Sequence, residues 1–493
     1  MNKKTNVTVV TIAIFVATFM SAVEGTIVST AMPTIVGDLK GVSIMNWVFS
    51  IFLLTNALAT PIYGKLADRI GRKPVFLFGL IVFVIGSTMS GLSNSMGELI
   101  FWRAIQGVGA GTIMPVSFTI IADIYPFEKR AKVMGFNGSA WGIASVVAPL
   151  LGGFIVDQLS WHWVFFINIP VGLIAMVMIW GFLHEEKHVT KSKLDVLGIV
   201  WLSVSLIGLM YGFQLLSMTT HALWQVVLSF AIFIVSMLLF IRQEKRADDP
   251  IIFLQLFENR TFVIQNFAAA MVAAYLIAFN VYLPMWTQGL LGLRASMAGF
   301  AVTPSSIMWI IGSFIAGRLL AKSNPQRLLF FSLSVVTVMA IAMALIPQQT
   351  PFWVFLAFST VFGIGFGTTI TGTTVTSQSL VSHDIIGVAT SFNTLVRSLS
   401  QTIMIAIFGI IMNYSMATGI QKHAGEGVKL SMMNKMINPQ TVTQLPQHLI
   451  PTLRQIYYGG LHNVFLIGLA LVVLALIVNV FDQQDSKSDK KGA

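Results

Sequence analysis

Three ionisable side chains stand deep inside long apolar stretches of this sequence: Glu24, Arg103 and Arg397. A charge near the middle of a membrane-length segment costs about 2.5–3.5 kcal/mol on insertion scales, which marks such residues as functional by default. Glu24 is the only acid well inside such a segment. A carboxyl group kept in low dielectric is suited to taking up and releasing a proton near neutral pH. A neighbouring cation that moves away during a conformational change would trigger that exchange, and Arg103 is the candidate. Two plainer readings stand beside this one. Arg103 snorkels to the headgroups, and Glu24 is a buried acid satisfied by fixed hydrogen bonds. Arg397 lies too deep for easy snorkelling; it either pairs with Glu24 across a cavity or meets an anionic group on a substrate.

Polar residues on the same stretches extend the set of cavity candidates: Gln106, Asn137, Asn280, Gln378, Asn393 and Gln401. Taken singly, each is more often a helix–helix hydrogen bond than a ligand. The chain contains no cysteine, which rules out disulfides, thiolate metal sites and cysteine nucleophiles. No GxxxxGK[ST] loop is present, so direct use of ATP is not expected. The histidines form no metal-ligand cluster, and no Ser/His/Asp grouping falls within one stretch. Neither catalytic residues, nor a metal, nor an organic cofactor is expected. The run Gly107-x-Gly109-x-Gly111 reads as small-residue helix packing.

These side chains must be positioned by membrane helices. With 55% hydrophobic and 10% charged residues, the chain falls far short of the roughly 25% charged residues of a soluble domain. Apolar stretches of spanning length, about 20 residues each, recur at 9–32, 45–66, 75–94, 100–121, 133–156, 163–183, 196–216, 223–241, 262–286, 297–320, 328–346, 352–375, 385–412 and 461–481. The first is read as a retained helix, since no small-residue cleavage site follows it. The net charge of +11 reflects topology and not a nucleic-acid surface: 22 of the 30 lysines and arginines fall on the side of the N-terminus, against six on the other. That bias predicts both termini in the cytoplasm. An all-α, fourteen-helix protein of the bilayer is the expected fold.

The sequence also repeats. Gly107, Gly109, Gly111 and Thr112 match Gly363, Gly365, Gly367 and Thr368, and Phe136-Asn137 matches Phe392-Asn393. Gly64-Lys65-Leu66 and Met32-Pro33 find counterparts at Gly317-Arg318-Leu319 and Leu283-Pro284. The matched positions raise Asn137 and Asn393 above the other amides. Two six-helix bundles, 1–190 and 246–493, therefore enclose an inserted pair at 191–245 that is expected at the lipid-facing periphery. Repeat-built transporters bind substrate between such halves and rock them alternately open. Glu24 and Arg103 correspond to Tyr275 and Ser359, which predicts proton handling by the first half alone and a substrate cavity shared by both, with Tyr275 among its lining. The far-side stretch 413–460 is long for a connection; it is read as a mobile loop, with a short hairpin or amphipathic helix as the alternative.

Several strings carry a family resemblance. Gly64-Lys65-Leu66-Ala67-Asp68-Arg69-Ile70-Gly71-Arg72-Lys73 resembles, position by position, the second-to-third-helix signature of the major facilitator superfamily. In that reading Asp68, with Arg69, Arg72 and Lys73, latches helices together in one state. The segment from Leu99 to Gly109 is similar to the fourth-helix motif of proton-coupled facilitators. Gly142 through Pro149-Leu150-Leu151-Gly152-Gly153 is similar to the exporters' fifth-helix motif, with Ala148 in place of the usual glycine. Glu24-Gly25-Thr26-Ile27-Val28 resembles the first-helix motif of fourteen-helix drug:proton antiporters, with Glu24 where aspartate is usual. Trp161-His162-Trp163 and Phe166-Ile167-Asn168-Ile169-Pro170 fit the same branch.

The resemblance implies a proton-driven exporter of amphipathic small molecules in a bacterial cytoplasmic membrane. It is expected to work as a monomer, with lipid, substrate and protons as its partners and the proton gradient as its energy source. The competing expectations are a dedicated exporter of one metabolite, lipid precursor or anionic signalling molecule, and a transporter-like sensor without flux.

Overall fold

The computed structural model describes residues 5–185, 195–217, 222–247, 254–320, 324–381 and 386–480. Among them, fourteen helices are long and apolar enough to cross a membrane. The first bundle comprises α1 (Val7–Leu39), α2 (Asn46–Ile70), α3 (Arg72–Gly91), α4 (Met96–Ile124), α5 (Phe127–Gln158), the short α6 (Trp163–Phe166) and α7 (Asn168–Phe182). The inserted pair is α8 (Val196–Ser217) and α9 (Leu223–Glu244). The second bundle holds α10 (Arg260–Gly289), α11 (Ala295–Leu320), α12 (Pro325–Leu345), α13 (Phe352–Ser379), α14 (Ile386–Lys422), the short α15 (Leu430–Ile437) and α16 (Ile450–Val480). The 190/191 boundary falls outside the described residues.

Local chemistry sets the ends of these helices. Asn6 and Ser95 accept the free backbone N–H groups of Val9 and Glu98 at the starts of α1 and α4, which no intrahelical carbonyl can satisfy. Gly71, at φ 106°, makes the sharp α2–α3 turn in a backbone region open mainly to glycine.

Packing reproduces the repeat. α1 lies on α5 as α10 lies on α14, and α2 lies on α4 as α11 lies on α13. The bundles meet through two equivalent seams, α5 against α11 and α14 against α2, with α1 against α10 between them. The end carrying the N-terminus and the α2–α3 turn is called here the basic face, and the other the far face. In the far half an apolar core runs continuously through both bundles, from Ile27, Met32 and Val36 to Tyr282, Trp286 and Leu290. In the basic half the first bundle instead closes on a separate core of its own, including Val10, Ala17, Phe76, Val116 and Ile120. The bundles are therefore joined over the far face and parted toward the basic one.

Two expectations are corrected. The long stretch 413–460 is mostly helix: α14 continues to Lys422 and α16 begins at Ile450. Buried Met416, Leu453, Ile456 and Tyr457 supply the apolar stripes that scattered polar residues conceal in the sequence. Between the two helices, α15 buries Met433, Met436 and Ile437, and Asn434 Oδ1 accepts the Val42 N–H at 3.1 Å. This segment is a docked amphipathic cap over the far face. The inserted pair is also only half peripheral. α9 presents Leu223, Val227, Ile234 and Leu238 outward, but α8 packs Leu202, Leu206, Leu209 and Met210 over the α2–α14 seam, against Leu54 and Ala406.

Candidate functional site

Glu24 and Arg103 face each other in the interior of the first bundle, with side chains 0% and 1% exposed. Arg103 Nη1 donates to Glu24 Oε1 in a direct ion pair. The same nitrogen donates to Gln106 Oε1 at 2.8 Å, and Nε donates to the Val48 carbonyl at 3.2 Å. The guanidinium carbon lies 4.0 Å from the centre of the Phe52 ring. The second carboxylate oxygen, Oε2, accepts from Asn168 Nδ2 at 2.7 Å, and that amide also reaches Ser87 Oγ at 2.9 Å. Five helices thus contribute to one buried cluster. Arg103 is not snorkelling, and it has taken the partner that Arg397 was offered.

Asn168 is the member that residue type did not single out. It was visible only as part of the Phe166–Pro170 string, and its role emerges because the α6–α7 break turns its amide toward α1. Gln106, expected in a cavity, belongs to the cluster; its Nε2 is buried without a partner.

The remaining cavity candidates separate. Tyr275 is wholly buried in the second bundle beside Phe362 and Phe366, its hydroxyl unbonded. It fills core and lines no cleft in this state. Asn393 Nδ2 donates to Asn266 Oδ1 at 2.9 Å and its Oδ1 accepts from Thr374 at 3.0 Å, making a polar tie within that bundle. Gln378 Nε2 donates to Thr390 Oγ1 at 2.8 Å, which joins α13 to α14 near the basic face. Asn137 is 2% exposed with both amide atoms unbonded. Asn280 and Gln401 are half-buried. Arg397, also half-buried, bonds among the described residues to its own helix, at Asn393 O (3.4 Å) and Thr394 Oγ1 (3.3 Å).

At the basic face the second-to-third-helix string is tied into its own bundle. Glu185 accepts the backbone N–H groups of Arg72 and Lys73 at 2.7 and 3.1 Å and so caps α3. Arg72 Nε lies 3.1 Å from Asp123 Oδ2, and Lys73 Nζ donates to the Trp180 and Leu183 carbonyls at the end of α7. Arg69 is exposed, and the Asp68 side chain lies outside the described residues. Gly64 leaves α2 close to Pro115 of α4.

The fifth-helix string sits at the seam. Gly152 lets α5 approach Ile27 and Thr30 of α1, while Gly153 and Pro149 meet Ser296 and Gly299 of α11. A Cβ at Gly153 would collide with the Ser296 backbone. Gly142 lies further along the same seam, near Ile310. Asp157 then accepts the Ala295 and Ser296 N–H groups, at 3.2 and 3.0 Å, from the first bundle to the start of α11.

Residues 14–405 match the family model of the Major Facilitator Superfamily. The chain belongs to this superfamily. Among its relatives, the Multidrug transporter protein MdtP of Bacillus subtilis (strain 168) is 32% identical, over 99% of this chain and 95% of the relative. Multidrug resistance protein 3 of the same organism is 34% identical, over 97% and 96%. The facilitator fold is shared with the crystal structure of a bacterial homologue of the human lysosomal transporter Spinster, at TM-score 0.70 and 17% identity over 95% of each chain. This facilitator is accordingly a multi-pass membrane protein, and its fourteen helices are the usual two bundles with a pair inserted between them.

Proposed function

We propose that this facilitator exports amphipathic small molecules, drugs included, across a bacterial cytoplasmic membrane in exchange for protons. The basic face lies in the cytoplasm, as the lysine and arginine distribution requires, so the state described is open inward. The observation that carries the reading is the Glu24–Arg103 pair, a carboxylate and a guanidinium sealed in one bundle with Asn168 and Gln106 as polar partners. The names of the relatives support the substrate class.

In the cycle, the substrate-loaded protein opens outward, and a proton entering from outside neutralises Glu24 and weakens its hold on Arg103 as substrate leaves. The protonated first bundle repacks and the protein returns to the inward-open state. Release of the proton to the cytoplasm then restores the ion pair. The string around Asp68 locks the inward-closed arrangement and lets go when the halves separate at the basic face. A unit charge crossing 100 mV gains about 2.3 kcal/mol, so a proton gradient drives the cycle without nucleotide. The test is substrate-linked proton flux in proteoliposomes. Glu24→Gln is expected to abolish it while leaving substrate binding; flux equal to that of the parent removes Glu24 as the proton carrier.

A further inference from the structure

Among the described residues Arg397 has no acidic partner, and its place in the fold points to what it meets instead. α14 is a seam helix, packed on α2 toward the far face, where Gly409 touches Asn46 and Ala406 joins Leu54. Arg397 lies two to three turns closer to the basic face, where the bundles have parted. Its repeat counterpart on the other seam helix, α5, is Trp141, which is exposed next to the exposed Gly138 and Ser139. On α14 the matching strip is polar: Ser391 and Thr394 are exposed, and Arg397, Ser398 and Gln401 are half-buried. Their spacing of three and four residues places Thr394, Arg397, Ser398 and Gln401 along one side of the helix. A strip of this kind at membrane depth is stable beside water and not beside lipid tails.

The only acid deep in a span, Glu24, is sealed with Arg103. The cleft therefore holds a cation for which no described residue provides the counter-charge. We propose that Arg397, with Thr394 and Gln401 beside it, is the anchor for an acidic group on the transported molecule, a carboxylate or sulfonate attached to an apolar body. A guanidinium presents paired N–H donors that match such a group, and exposed Trp141 on α5 offers the apolar body a surface. This rests on the efflux reading and narrows its substrate class.

The test compares two dyes on the same xanthene scaffold, anionic fluorescein and cationic rhodamine 123, by fluorescence anisotropy with the purified full chain in detergent. Fluorescein is expected to bind more tightly. Arg397→Gln is expected to weaken it by about ten- to hundredfold, the loss of a hydrogen-bonded charge pair, and to leave rhodamine unchanged or improved. Arg397→Lys, which keeps the charge, is expected to retain most of the preference and guards against a variant that misfolds. Preference for rhodamine, binding of neither dye, or fluorescein affinity unchanged in Arg397→Gln overturns the anchor. Binding needs no gradient, so loss of proton-linked efflux with the dye preference intact would count against the exchange mechanism and not against Arg397.

Discussion

At the scale of single residues, the chemistry turns on how completely Glu24 and Arg103 satisfy each other. Removing one partner of a buried pair leaves the other charge without water or counter-ion, at a cost of about 3–5 kcal/mol. Arg103→Ala is therefore expected to lower thermal stability sharply. The Glu24→Gln/Arg103→Gln double variant should recover much of that loss, because neither position then carries an unpaired charge. A double-mutant cycle read by thermal unfolding checks this, and additive losses would mean that the two side chains are not coupled. Asn168→Ala removes the donor to Glu24 Oε2 and exposes no compensating group. It is expected to cost about 1–3 kcal/mol and to shift the pH profile of transport, whereas Asn393→Ala, which cuts a tie inside the other bundle, should change stability alone.

Among the elements, the α5–α11 seam decides whether the far face stays shut. Its closeness depends on Gly153 and Gly299, and its end is fixed by the Asp157 carboxylate on the first N–H groups of α11. An acidic group at a helix N-terminus contributes about 0.3–1 kcal/mol through the dipole in addition to its hydrogen bonds. Gly153→Val should force the helices apart, and Asp157→Ala should release the end of α11. The chain is free of cysteine, so a single cysteine can be placed at the buried Ser29 position and its maleimide labelling followed. Both variants are expected to label faster than the parent. Unchanged labelling would show that α15 and the Asn46–Tyr282 hydrogen bond (2.7 Å) close the far face unaided.

For the whole molecule, equivalence of the two seams means that closing one end opens the other. Spin labels at the basic ends of α5 and α11 should move apart on acidification or in Glu24→Gln, while labels at their far ends approach each other. No change in either distance would leave the Glu24 cluster without a mechanical output. α8 constrains this motion, since it bridges α2 and α14 across one seam. Rocking therefore requires α8 to slide over Leu54 or Ala406, and bulky residues at Leu206 should slow transport more than they weaken binding.

Much of this was legible in the chain. Segment length, the deficit of charge, the basic bias of one side and the internal repeat are properties summed along the sequence, and they determined the fourteen helices and the two bundles and singled out Glu24, Arg103 and Arg397 as charges inside spans. Hydropathy failed only where polar residues interrupt an apolar stripe, as at the ends of α14 and α16. What tertiary structure alone decided is who faces whom. Helix rotation placed Gln106 and Tyr275 inside bundles, brought Asn168 to Glu24 across more than a hundred residues, and left Arg397 beside the cleft. A polar group in a membrane interior must find its partner on another helix, and the choice of that partner depends on packing angles that no local pattern of residues encodes.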